Sequence, residues 1–190
     1  MNKGAYMKKF IRIHIGDLHA SKEPAIIETV LGSCVAVCLY DGMERVGGMN
    51  HILLPGEADL KNFDTSARYG INAMELLINR IVALGGDRRR IVAKVFGGGN
   101  ILPAISPGNR IGSRNTEFVL EFLEMEGIDL VSQNLGGRVS RKILFHTDTG
   151  YAFLKTIPCV GQGGFVSKEL TLLDRVRIEA EESGEITLFS

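Results

Sequence analysis

The chain reads as a single α+β layered fold, a sandwich of mixed and antiparallel β-sheets with two amphipathic helices packed outside. Three observations predict it. Short apolar runs of strand length recur along most of the chain, whereas only two segments carry the three- and four-residue apolar spacing of a helix. Strands and helices do not alternate regularly, which argues against a doubly wound parallel sheet. The composition, 45% hydrophobic and 23% charged over 190 residues, suits one ordinary globular domain.

In chain order, alternating Phe10-Ile-Arg-Ile-His-Ile15 predicts a strand over 9–16. Apolar, β-rich runs predict strands over 25–31, 34–40 and 46–54. A polar loop from Gly56 to Asn62 follows. Ala67, Ile71, Met74, Ile78 and Ile81 recur at helical steps from Thr65 to Leu84, and Gly85-Gly86 closes that helix. Ile91 to Phe96 is a strand stopped by Gly97-Gly-Gly-Asn100. A Pro- and Gly-rich loop, 102–112, leads to a second helix over 115–126 that buries Phe118, Phe122 and Met125. Strands over 128–133, 140–146 and 151–157 follow, the last two joined by His146-Thr-Asp-Thr-Gly150. The pattern weakens beyond Pro158: Gly161-Gln-Gly-Gly164 reads as a linker, 176–182 as mixed and charged, and 186–189 as a short terminal strand. The chain thus divides into a domain over 1–157 and a C-terminal extension over 158–190.

Charge and composition narrow the function. A formal net charge of +0 offers no field to recruit nucleic acid or an anionic membrane. No apolar run is long enough to span a bilayer, and the alternating N-terminal strand is unlike a signal peptide, so a cytoplasmic protein is expected. The three cysteines and four histidines show no metal-ligand spacing, so neither a metal nor a cofactor is expected. Cys34 and Cys38 would lie about 13 Å apart on one strand, too far for a disulfide. The Gly97-Gly-Gly99 loop lacks the Lys-Ser/Thr of a P-loop and the spacing of a dinucleotide fingerprint, so turn geometry is its simpler reading. The basic cluster Arg138–Lys142, with Arg114, reads as a solvated surface or a patch for an acidic partner.

The chemistry concentrates in Thr29-Val-Leu-Gly-Ser-Cys34 and the hairpin that follows it. Gly32-Ser33 bends the chain before Cys34, and Asp41-Gly-Met-Glu44 supplies a turn before Gly47-Gly-Met-Asn-His51. A turn centred between Gly42 and Met43 places Cys34 directly opposite His51, within reach of an S–N hydrogen bond. A thiol against an imidazole is the arrangement of a cysteine nucleophile with its base. Most buried cysteines are simply small hydrophobes, and Cys38, interior to the strand, is read as one. His14, on the polar face of its strand, His19, in a loop, and His146, at a turn, gain no such partner. Orienting His51 needs a third group, and Thr29 and Glu28 are the candidates, on opposite faces of their strand.

Leu31-Gly-Ser-Cys-Val-Ala-Val-Cys-Leu-Tyr-Asp41, Gly47-Gly-Met-Asn-His-Ile-Leu-Leu-Pro55, Phe96-Gly-Gly-Gly-Asn100 and Ile111-Gly-Ser-Arg-Asn115 together resemble the CheD family of bacterial chemotaxis proteins. Gly136-Gly-Arg138, Arg141-Lys142 and Thr149-Gly150 extend the resemblance, which runs over roughly residues 10–157. It implies a cysteine amidohydrolase that deamidates chemoreceptor glutamines, with a fold like that of bacterial toxin glutamine deamidases. It also implies Cys34 as nucleophile, His51 as base and a threonine upstream as the third member. In the family pattern that threonine lies six residues before the cysteine, where this chain has Glu28. Thr29 is favoured on chemical type, a β-bulge absorbing the offset. The expected partner is the receptor's cytoplasmic domain. A CheC-type phosphatase is a second partner that the resemblance allows. The reading of another class is a non-catalytic adaptor that docks on receptors or on such a phosphatase.

Overall fold

The computed structural model describes residues 7–100 and 111–158, together with positions 171, 174 and 175. Its strands are β1 (Lys9–Arg12), β2 (Leu18–Ser21), β3 (Ala25–Leu31), β4 (Val35–Asp41), β5 (Val46–Ile52), β6 (Val92–Gly97), β7 (Asp129–Leu135), β8 (Val139–His146) and β9 (Ala152–Pro158). Its two long helices are α1 (Thr65–Ala83) and α2 (Ile111–Met125). The strands form a four-stranded sheet ordered β1-β3-β8-β9 and a five-stranded sheet ordered β2-β5-β4-β6-β7. Both are mixed: β1 runs parallel to β3, and β6 parallel to β7, while the other neighbours are antiparallel. The architecture is the expected layered α+β fold.

Three layers result, with the five-stranded sheet in the middle. Val35, Val37 and Leu39 of β4 share one core with Met74, Leu77, Ile78 and Ile81 of α1 and Phe118, Val119, Phe122 and Leu123 of α2. Cys34, Ala36 and Cys38 point the other way. They meet Met49 and Leu53, together with Ile27, Leu31, Ile143 and Phe145 of the second sheet. A strand fully buried on both faces must be apolar throughout, which is why β4 reads as one continuous hydrophobic run. Asn50 of β5 is the buried exception on the helix side. Its amide accepts from Val37 N–H at 3.1 Å and donates to the Ala73 carbonyl at 3.2 Å, pinning α1 to the sheet.

Several expectations need correction. The strand expected over 9–16 is two strands: β1 ends at Arg12, and a turn closed by Asp17 N–H to the His14 carbonyl and His14 N–H to the Asp17 carboxylate redirects the chain. His14 is therefore an exposed turn residue, and His19 lies in β2 rather than in a loop. Helix α2 starts at Ile111, not Asn115. Met125 is 60% exposed, because at 3.6 residues per turn the buried stripe drifts onto Val119 and Leu123. The linker at 161–164, the charged stretch 176–182 and the terminal strand 186–189 lie outside the described residues.

Candidate active site

The hairpin exists, but its turn is centred one residue later than its turn chemistry predicts. Asp41 stays in the ladder opposite Val46, and its carboxylate accepts the N–H groups of Met43 and Glu44 while Arg45 takes a positive φ of 55°. Moving a turn by one residue moves the register by two, so His51 pairs with Ala36, and Cys34, just ahead of β4, is not directly opposite it. A slip of two keeps every side chain on its face, whereas a slip of one would have separated the pair. Cys34 and His51 remain diagonal neighbours on the face that meets the four-stranded sheet, a separation of roughly 7–8 Å along the backbone. The His51 Nε2 is buried and has no hydrogen-bond partner among the described residues, so the expected S–N hydrogen bond is not formed.

The other ring nitrogen is occupied. Thr29 Oγ1 lies 2.8 Å from His51 Nδ1 and 2.9 Å from the Ile13 carbonyl oxygen. The carbonyl only accepts, so the single hydroxyl proton goes to Ile13 and the oxygen accepts from Nδ1–H. That fixes the tautomer: the proton sits on Nδ1, and Nε2 carries the lone pair. Thr29 reaches across because it shares the inward face of β3 with Ile27 and Leu31. Glu28, in the other phase, faces outward, 2.7 Å from Arg12 Nη2 and ion-paired with Lys142. Burial works to raise its pKa, but those two cations outweigh it and hold the carboxyl below its ordinary range. No bulge is involved, since the β3–β8 ladder pairs Ile26 through Leu31 without a register shift.

Burial governs the electrostatics. Cys34 is 1% exposed and His51 4%. Desolvation, with a smaller contribution from His14, depresses the His51 pKa to about 3, so the imidazole rests neutral. Burial pushes the Cys38 thiol in the opposite sense, well above its ordinary value, and Cys38 sits opposite Met49 among apolar side chains.

The loop that carries Cys34 is tied down at three consecutive carbonyls. The Gly32 carbonyl accepts from Gly99 N–H at 2.8 Å, the Ser33 carbonyl from Asn115 Nδ2 at 2.9 Å, and the Cys34 carbonyl from Gly98 N–H at 2.8 Å. Asn115, fully buried, also accepts from Leu54 N–H at 2.8 Å, which joins the cysteine loop to the segment that continues from His51. The glycine run thus braces the Cys34 loop. Gly97, at a φ of 113°, lies so close that a Cβ there would strike the Cys34 carbonyl, and Gly98, at 62°, would strike Thr116. Sequence reasoning quoted Asn115 and the glycines but assigned them no such part. The signal was present in Asn115, a polar residue in helical phase with the buried Phe118, Val119 and Phe122.

The basic cluster divides. Arg114 pairs with Glu57 and Lys142 with Glu28, whereas Arg141 is buried at 4% exposure with only neutral acceptors. Among the described residues no group of histidine, cysteine and carboxylates could hold a metal ion, and no helix is long and apolar enough to cross a membrane.

Comparison with known proteins places this geometry in context. Residues 53–156 match the family model described as CheD chemotactic sensory transduction. A protein of Shewanella oneidensis named probable chemoreceptor glutamine deamidase CheD 1 is 41% identical over 186 residues, covering 97% of this chain and 89% of its own length. One from Chromobacterium violaceum, named probable chemoreceptor glutamine deamidase CheD 2, is 38% identical and covers 100% of this chain and 96% of its own length. A Vibrio vulnificus protein with the name probable chemoreceptor glutamine deamidase CheD is 36% identical over 94% of this chain and 86% of its own. With a matching family model and relatives aligned along nearly its whole length, the chain belongs to the CheD family.

Proposed function

We propose that this protein deamidates glutamine side chains of chemoreceptors, converting them to glutamate through a thioester on Cys34. The observation that carries the reading is the Thr29–His51 hydrogen bond, which turns an imidazole with a free lone pair onto the face that holds Cys34. The family membership and the names of its relatives support the substrate class.

The steps follow from the groups present. His51 Nε2 takes the Cys34 proton as sulfur attacks the glutamine carboxamide carbon. The resulting oxyanion is held by backbone N–H groups of the cysteine loop, whose three carbonyls are fixed by their own hydrogen bonds. His51 returns the proton to the leaving nitrogen, the C–N bond breaks, and ammonia departs from a thioester. Water, deprotonated by the same nitrogen, attacks the thioester and releases glutamate and the thiol. Thr29 touches neither substrate nor sulfur; it holds the ring in its tautomer. Hydrolysis of a receptor methylglutamate uses the same acyl-enzyme, with methanol leaving in place of ammonia. Action on the receptors' cytoplasmic bundle implies an enzyme of the cytoplasm, and the family resemblance allows a CheC-type phosphatase as a further partner.

The 1% exposure of Cys34 favours a second reading, an adaptor that docks on receptors without turnover. Intact mass of a receptor cytoplasmic fragment separates the two. Wild type adds about one dalton per glutamine by exchange of NH₂ for OH, and Cys34→Ala adds none. Binding by wild type without any mass change selects the adaptor, and a mass gain with Cys34→Ala removes Cys34 as nucleophile.

A further inference from the structure

Arg141 is the buried cation, among the described residues, that the chemistry above leaves unused. It lies in β8 in phase with Ile143 and Phe145, so its side chain enters the space between the sheets, and it pairs with Leu31, three residues before Cys34. Its guanidinium spans the two sheets: Nε donates to Asn134 Oδ1 of β7 at 2.7 Å, Nη2 to the Gly136 carbonyl at 2.7 Å, and Nη1 to the Val139 carbonyl at 3.2 Å. No carboxylate is among these partners. A buried cation bonded only to neutral acceptors is costly to keep, and its desolvation is offset by no opposite charge among the described residues.

Its bonds lead to the nucleophile. Gly136 N–H donates to the Gly97 carbonyl at 2.9 Å, and Asn100 N–H donates to the Gly137 carbonyl at 2.8 Å. Those two bonds grip both ends of the glycine run, whose Gly98 and Gly99 N–H groups hold the Cys34 and Gly32 carbonyls. Around the Cys34 loop, the other elements offer His51 from β5, the neutral Thr29 from β3, Phe96 from β6, and Asn115 from α2. Arg114 of α2 is paired with Glu57, Arg138 in the β7–β8 turn is exposed, and Glu28 and Lys142 face away. His14, which adds to the lowering of the His51 pKa, lies in the exposed segment after β1. Among the described residues, Arg141 is the buried cation whose hydrogen bonds run to the segment that braces the Cys34 loop.

We propose that Arg141 is a positioning residue of the reaction: it clamps the Gly136-Gly137 turn onto the glycine run that braces Cys34, and its uncompensated charge favours the anionic forms of the nucleophile. The inference rests on Cys34 as nucleophile, yet its test does not depend on turnover alone. The pH dependence of Cys34 alkylation by iodoacetamide, located by peptide mass, is measured without substrate on wild type, Arg141→Lys and Arg141→Gln. Arg141→Gln is expected to move the alkylation midpoint up by about one pH unit and to lower kcat by about a hundredfold with KM little changed. Arg141→Lys keeps the charge but not the planar fork, so its midpoint stays near wild type while kcat falls about tenfold. A folded Arg141→Gln protein with the wild-type alkylation profile overturns the proposal. Should that variant not fold, Asn134→Ala, which removes the Nε acceptor at an exposed side chain, decides together with Arg141→Lys. Unchanged kcat in both sinks the idea. Receptor turnover by Cys34→Ala would defeat the deamidase reading separately.

Discussion

The two ends of the space between the sheets are built from the same strands and differ in what they permit. At one end Cys38, Met49, Ile27 and Phe145 fill it with apolar side chains. At the other, β3, β5 and β8 carry Thr29, His51 and Arg141 on the same faces, and Cys34 joins them from the loop just ahead of β4. Cys34 and Cys38 are equally buried at 1% exposure and share one face. What separates them is company: an imidazole with a fixed tautomer on one side, a thioether on the other. Burial alone makes a thiol inert; a neighbouring base turns the same dryness into a setting for acyl transfer.

The sharpest way to break the contrast is to delete each sulfur. Cys34→Ala should lower receptor deamidation at least about a thousandfold, read by mass, whereas Cys38→Ala should retain turnover and lose about 1 kcal/mol of stability in a denaturant melt. In the intact protein Cys34 should also alkylate faster than Cys38. Equal rates would show that the imidazole end does not activate its cysteine.

The next contrast lies across β3. Thr29→Val removes the hydroxyl that holds His51 and should lower kcat about tenfold to a hundredfold, the equivalent of one buried hydrogen bond, with Thr29→Ser restoring most of it. Glu28→Gln, one residue away but facing Arg12 and Lys142, should leave kcat alone and reduce only stability. A larger activity loss in Glu28→Gln than in Thr29→Val would reverse the assignment of the two faces. Asn115→Ala, which frees the Ser33 carbonyl and Leu54 N–H, should lower kcat about tenfold and destabilise by about 1–3 kcal/mol. Wild-type kcat in that variant would mean that the cysteine loop holds itself.

The last contrast, one of stability and not of turnover, is in acid. The His51 pKa is lowered in the folded protein to about 3 from an ordinary 6.5, so between those values the unfolded chain binds a proton that the folded one does not. Stability is then fully present above 6.5 and falls as pH drops towards 3, with a slope of up to about 1.4 kcal/mol per pH unit from this group. Melts of wild type against His51→Gln between pH 4 and 7 should show the mutant losing that slope. Parallel curves would place the ring in contact with water.

Phase carried most of what the sequence could tell. On β3 phase separated the two faces without ranking them: Ile27, Thr29 and Leu31 alternate with Ile26, Glu28 and Val30, so the choice between Thr29 and Glu28 stayed open, and Arg141 read as one of a surface cluster although it shares a phase with Ile143 and Phe145. The sandwich, the continuous β4 run and α1 were legible because burial on one or two faces leaves a period in the sequence. The hairpin register was misjudged by two because the position of a four-residue turn depends on Asp41 keeping its place in the ladder while its carboxylate caps the loop, a competition between local bonds that residue type does not rank. The role of the glycine run was invisible because it is made of backbone contacts between segments more than sixty residues apart in the chain.

The bond from Thr29 to the Ile13 carbonyl has a kinetic consequence. A histidine backed by a carboxylate has a counter-charge for the imidazolium that forms; here the relay ends at a peptide oxygen that can neither give nor take a proton. On the proposed mechanism, every hydrogen that His51 moves during turnover passes in and out through Nε2, one at a time. Rates in mixtures of light and heavy water should therefore fall on a straight line against deuterium fraction, the mark of a single mobile proton in the limiting step.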